Sequence, residues 1–191
     1  MDSILNKGPF APCPSPFNMA AHVLGRATMQ PEKVALTVMG RRQDTHWSYA
    51  KLEAAVRGTG TGLLRLGLKA GDVLLLRLGN TPEFPIAYLG AIAVGVIPVP
   101  TSSQLTLSEV EKIVTTLKPK AIAYGTSVPS PEGGEFQRIS EADLAEMHAL
   151  PPCDYVMGEP DRMAYIIYTS GTSGRPRAVM HAHRAIWARQ M

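Results

Sequence analysis

Tyr168-Thr169-Ser170-Gly171-Thr172-Ser173-Gly174-Arg175-Pro176-Arg177 stands between two apolar runs, Met163-Ala164-Tyr165-Ile166-Ile167 before it and Ala178-Val179-Met180 after it. The first run reads as a buried strand and the second as the start of another. Gly171 and Gly174 let the backbone turn its N–H groups onto one concave surface, and the Ser and Thr hydroxyls add short donors. Arg175 and Arg177 add permanent positive charge. These are the parts of a polyphosphate cradle. Turns and flexible linkers also use Ser, Thr and Gly, but a linker is not normally clamped between strand residues that begin immediately on either side. Two other nucleotide loops are excluded by spacing. Gly171 has no partner glycine followed by Lys-Ser/Thr, as a Walker A loop requires, and no G-x-G-x-x-G run is present.

Working outward, the chain alternates strands and helices. Residues 1–16, rich in Pro and small residues, read as a surface arm. Phe17 to Met29 has helical spacing, and Val34–Val38 with Thr45–Trp47 reads as a hairpin around Gly40–Asp44. Ser48 is placed to cap a helix that buries Tyr49, Leu52, Val56, Leu63 and Leu66. Gly58, Gly60 and Gly62 lie inside that helix. Each costs about 1 kcal/mol against Ala, so close helix packing is the reading, not a nucleotide loop. Asp72 to Leu78 is a strand, Phe84 to Val94 a helix and Val96 to Val99 a strand. Thr106 and Glu109 form a capping box for a helix burying Leu107, Val110, Val114 and Leu117. Lys120 to Tyr124 is the next strand, and a short helix follows Ser140 across a weakly patterned stretch, 125–160. The alternation predicts an α/β fold, a parallel sheet layered between helices, with a small β-hairpin near the N-terminus. Val96–Val99 and Lys120–Tyr124 are expected to be neighbours in that sheet.

Composition removes several function classes. Of 191 residues, 45% are apolar and 18% charged, and the net charge is +3, so the chain reads as globular, with too little positive charge to argue for nucleic acid. No apolar run reaches the roughly 18–20 residues of a membrane span, and no basic-then-apolar leader opens the chain. Cys13 and Cys153 lack metal-ligand spacing and read as reduced thiols in a cytoplasmic protein. His181-Ala182-His183 has no Cys, Asp or Glu within five residues to complete a metal site. His183 reads instead as the cap of a helix starting at Arg184. The pairs Glu109/Glu111 and Glu141/Asp143 read as solvated charges, and no Ser–His–Asp or Cys–His arrangement can be argued. No metal-binding or catalytic residue is assigned.

Residues 168–177 resemble the signature loop of the adenylate-forming superfamily, Tyr-Thr-Ser-Gly-Thr-Thr-Gly-Lys-Pro-Lys-Gly, whose members include acyl-CoA synthetases, peptide-synthetase adenylation domains and luciferases. Ser173, Arg175, Arg177 and Ala178 depart from it. The first keeps a hydroxyl, the arginines keep charge but not shape, and Ala178 puts a side chain where the family has glycine. Trp47–Glu53, Leu66–Val73, Gly79–Phe84 and Leu89–Pro100 are similar to further family segments, in family order, so the likeness runs from about Pro31 to Met191. Val96–Thr101 lacks the Tyr-x-Pro-Ile/Leu-Asp ending of peptide-synthetase domains. Phe17-Asn18 and Pro100–Thr106 loosely resemble benzoate-CoA-ligase-like members.

The resemblance implies an enzyme that uses ATP, Mg2+ and coenzyme A to convert a carboxylic acid to its thioester through acyl-AMP. It implies that Thr169, Ser170, Gly171, Thr172, Ser173, Gly174 and Arg177 hold the ATP phosphates. It also implies that residues 17–191 are the N-terminal part of a large domain, truncated after the phosphate loop, inactive alone and prone to self-association through uncovered apolar surface. The other readings are a peptide-synthetase adenylation domain and a non-catalytic binding or assembly module.

Overall fold

Residues 11–40, 43–169 and 177–187, which this computed structural model describes, begin with α1 (Met19–Leu24), a 3-10 turn (Gly25–Ala27) and the antiparallel pair β1 (Val34–Val38) and β2 (Thr45–Ser48). Then follow α2 (Tyr49–Arg65), β3 (Val73–Arg77), α3 (Glu83–Ala93), β4 (Ile97–Pro100), α4 (Leu107–Leu117), β5 (Ala121–Tyr124), β6 (Gln137–Ser140) and α5 (Glu141–Met147). β7 (Met163–Thr169), β8 (Arg177–Ala182) and a 3-10 turn (His183–Ala185) complete the order. The helix expected over Phe17–Met29 is therefore the short α1 and the turn after it.

A leucine run sets the centre. In β3, Leu74, Leu75 and Leu76 are wholly buried, and successive side chains leave opposite faces of the sheet. Leu74 and Leu76 pack with Leu63 of α2, Ala87 and Ala91 of α3, and Leu144 of α5. Leu75 packs on the other side with Ile122 and with Val110 and Ile113 of α4. Being apolar on both faces, β3 takes the middle of the parallel sheet, whose order is β4-β3-β5-β6. This corrects the expectation that β4 and β5 are neighbours: β3 lies between them, and β3 and β5, buried on both faces, are the two interior strands. β6, in the stretch where the pattern was weakest, is a strand the sequence reading did not include.

The expected helix stripes hold in their middles and fail at their ends. Leu52, Val56 and Leu63 are buried, but Tyr49 is only half-buried and Leu66 is exposed past the end of α2. In α4 the buried pair is Val110 and Ile113, while Leu107, in the first turn, is exposed. The glycines of α2 mark close approach, as read. A β-carbon at Gly58 would lie 2.7 Å from the carbonyl oxygen of Met147 at the end of α5. Thr106 and Glu109 form their capping box at the start of α4, and Ser140 with Asp143 forms a second at α5. Glu109, Asp143 and Glu141 are thus not simply solvated. The first two accept the backbone N–H of Thr106 and Ser140, each at 2.8 Å, and Glu141 accepts from the Thr81 hydroxyl at 3.1 Å.

Candidate functional site

The segment singled out by sequence springs from the hairpin of β7 and β8. Ala164 and Ile166 of β7 are buried, and Tyr168 packs against the cluster of Leu75, Val99, Val110 and Ile122. Burial raises the Tyr168 hydroxyl above its ordinary pKa. β8 runs antiparallel to β7, with Tyr168 opposite Ala178 and Thr169 opposite Arg177. The two residues that bracket the loop are therefore cross-strand partners, and Arg177 is held in a strand at the surface. Ser170, Gly171, Thr172, Ser173 and Gly174 lie outside the described residues, as does Arg175.

A second set of contacts ties this hairpin to the N-terminal helix. His183 follows β8 directly and is almost fully buried. Its Nδ1 accepts the backbone N–H of Met19 at 3.0 Å. Burial, with the nearby Arg162 cation, holds its pKa down to about 4, so the ring is neutral and its lone pair is available to that N–H. His183 is not the helix cap that the sequence suggested. It begins a 3-10 turn whose preceding residue, Ala182, has no side chain able to cap, and its ring is used across the fold instead. Asn18 completes the tie. Its Oδ1 accepts from Ala20 N–H at 2.9 Å, and its Nδ2 donates to the carbonyls of Ile92, at the end of α3, and Val156. His181 stacks flat on Tyr165, 4.6 Å between centroids. The two histidines therefore have separate partners, and among the described residues no group of three or more His, Cys, Asp or Glu could hold a metal ion.

Sequence reading missed Arg77. This guanidinium is fully buried at the C-terminal end of β3. Nε and Nη2 donate to the Pro129 carbonyl at 3.0 and 2.7 Å, Nη2 also reaches the Leu105 carbonyl, and Nη1 donates to the Ser102 carbonyl and the Thr101 hydroxyl. No carboxylate pairs with it among the described ion pairs, and burial alone lowers its pKa from the usual range. The available signal was an Arg ending the run Val73-Leu74-Leu75-Leu76.

The profile of the AMP-binding enzyme family matches residues 24–191. Among curated proteins, the chain is 28% identical to a 3-hydroxybenzoate–CoA/4-hydroxybenzoate–CoA ligase of Thauera aromatica, over 88% of this chain and 35% of that one. It is 31% identical to a 4-coumarate–CoA ligase of Humulus lupulus, over 73% of this chain and 28% of that one. Among solved structures, the N-terminal domain of FACL13 from Mycobacterium tuberculosis superposes with a TM-score of 0.76 at 26% identity, covering 89% of this chain and 45% of that one. The chain spans about a third of the length of these two curated relatives.

Proposed function

The chain belongs to the AMP-binding enzyme family, and from that premise we propose that it is part of an ATP-dependent acyl-CoA ligase acting on an aryl acid. The observation that carries this reading is the hydroxyl- and glycine-rich segment suspended between Thr169 and Arg177, two residues fixed opposite one another in the β7–β8 hairpin. In the proposed reaction a carboxylate oxygen attacks the α-phosphorus of ATP. An acyl–phosphate bond forms, the α–β anhydride breaks and pyrophosphate leaves. The thiol of coenzyme A then displaces AMP to give the thioester.

Negative charge builds on the departing pyrophosphate, and fixed donors aimed there stabilise it without reorganising. The reading gives that role to the hydroxyls and backbone N–H groups of Thr169, Ser170, Thr172 and Ser173. Gly171 and Gly174 permit close approach, and Arg177 supplies the cation. The described residues offer no ligand set for Mg2+, so that ion is assigned to no residue here. Two supports favour an aryl acid: the Pro100–Thr106 segment, and the hydroxybenzoate and coumarate named for the relatives. Residues 17–191 are read as the N-terminal part of a larger catalytic domain, supported by the third of each relative's length that they match.

A protein of the relatives' full length, given ATP, Mg2+, coenzyme A and a panel of acids, is expected to release pyrophosphate and form thioester with aryl acids. Adenylate formed only with amino acids, and no thioester, would turn the reading to a peptide-synthetase adenylation domain.

A further inference from the structure

Arg77 has a place in the fold that packing alone does not call for. A guanidinium is costly to bury, and a leucine would extend the apolar run that already fills β3. Its donors meet two separated stretches: the turn after β4, at Thr101, Ser102 and Leu105, and the loop after β5 at Pro129. The Thr101 hydroxyl donates to the Leu76 carbonyl at 2.9 Å, which leaves its lone pairs facing Arg77. The planar fork of Arg can span such a set, where a single ammonium cannot. All of this lies at the C-terminal edge of a parallel sheet, the side on which open α/β sheets place their ligands.

The turn that Arg77 fixes is joined to the hairpin. β4 lies against β7. Leu105 of the turn and Tyr168 of β7 both pack against the cluster that contains Val99 of β4 and Ile166 of β7. Tyr168 is the last residue before Thr169, from which the hydroxyl-rich segment departs. A rigid Thr101–Leu105 turn therefore gives β7 a fixed wall.

We propose that Arg77 is a positioning residue for phosphate binding: its guanidinium locks the Thr101–Leu105 turn, and the cluster shared by Leu105, Ile166 and Tyr168 passes that rigidity to the strand from which the phosphate segment leaves. The proposal rests on the phosphate-binding reading of Thr169–Arg177, and the coupling it asserts is testable without that reading.

The test uses the 191-residue chain, with hydrogen exchange followed by mass spectrometry and ATP binding followed by calorimetry. Arg77→Met should speed amide exchange roughly tenfold or more in both Thr101–Leu105 and Met163–Thr169, while α2 and α3 stay as slow as in the unsubstituted chain. ATP should bind about tenfold more weakly, since a strand displaced by a fraction of an ångström misplaces every donor beyond it. Arg77→Lys, which keeps the charge but loses the fork, should restore neither property. If Arg77→Met does not fold, Thr101→Val should loosen the same two segments to a smaller extent. Faster exchange confined to Thr101–Leu105, uniform loosening of the whole chain, or full rescue by Arg77→Lys would each overturn the proposal. An unsubstituted chain that binds no ATP, but whose variants still loosen both segments, would overturn the phosphate reading and leave the coupling standing.

Discussion

The four-stranded parallel sheet and the β7–β8 hairpin are both made from short apolar runs, and they bury those runs in opposite ways. In β3 every leucine is covered, because α2, α3 and α5 lie on one face and α4 on the other. In the hairpin only β7 is core. Val179 and Met180 of β8 are 41% and 67% exposed, and among the described residues β8 pairs with no strand but β7. The sheet is scaffold. The hairpin has one strand anchored in that scaffold and one at the surface, which suits it to present ligand-binding groups without distorting the core. Residues on β8 should therefore act on function, and the buried leucines of β3 on stability.

The largest effect expected from this division is at Arg177. In a protein of the relatives' full length, Arg177→Ala should lower kcat by about 10²–10³-fold, the range seen when one preorganised donor is removed from a developing charge. Arg177 is fixed in β8 opposite Thr169, whereas Arg175 lies outside the described residues and precedes a proline. Arg175→Ala should cost much less. Pyrophosphate release measures both, and equal losses would mean that the strand register does not select the working cation.

Stability should show the converse. Leu75→Ala removes a side chain that is wholly buried between β3 and α4, and should cost about 2–5 kcal/mol. Val179→Ala should stay within about 0.5 kcal/mol, as exposed substitutions do. Urea unfolding of both variants decides the matter. A large loss at Val179 would show that β8 is covered in solution and that the two regions do not differ as described.

How much of this was readable in the sequence follows the same line. Three of the four strands of the sheet, β3, β4 and β5, were legible because their runs are short, apolar and separated by helices whose starts are marked locally by caps such as Thr106. Strand order was not legible, since both β3 and β5 are short apolar runs buried on both faces, and no local pattern says which of them lies beside β4. β6 was hidden because Gln137-Arg138-Ile139-Ser140 carries only one strongly apolar residue, Ile139, which is almost fully buried. The phosphate reading of the hydroxyl-rich segment rests on its residue types alone, since Ser170 to Pro176 lie outside the described residues. Arg77, Asn18 and His183 were not legible as structure, because each bonds to backbone 25 residues or more away in sequence and no local pattern encodes such a partner.

The tie between hairpin and N-terminal helix gives a pH-dependent prediction. His183 is neutral in the fold, with its pKa held down to about 4 by burial and by Arg162, against about 6.5 when unfolded. Between those values the unfolded chain takes up the proton and the folded chain does not, so acid favours unfolding. The contribution is complete above about pH 6.5 and is lost as pH falls towards 4, up to about 3 kcal/mol in all. His148, whose pKa burial also lowers, acts with the same sign. His183→Gln should flatten the stability profile in this window more than His148→Gln does. An unchanged slope in the His183 variant would show that the ring does not stay neutral against Met19.

The smallest effect on stability, and one visible only at high concentration, concerns the outer edge of β8. Consecutive residues Val179 and Met180 point to opposite faces of the strand, and both are exposed. An exposed apolar strand with an unpaired edge is a template for another copy of itself. The 191-residue chain is therefore expected to self-associate, with scattering mass rising across a dilution series. Met180→Lys places a charge on that edge, where the side chain has no core contact to lose. It should leave the unfolding midpoint within about 0.5 kcal/mol of the unsubstituted chain while shifting the association curve to higher concentration. Val34→Lys is the control, because Val34 is 51% exposed on β1, a strand far from β8 in sequence and in a separate sheet. If both substitutions reduce association equally, added charge alone is responsible. If only Met180→Lys does so, the surface strand of the hairpin is the contact, and the contrast between covered sheet and uncovered hairpin holds in solution.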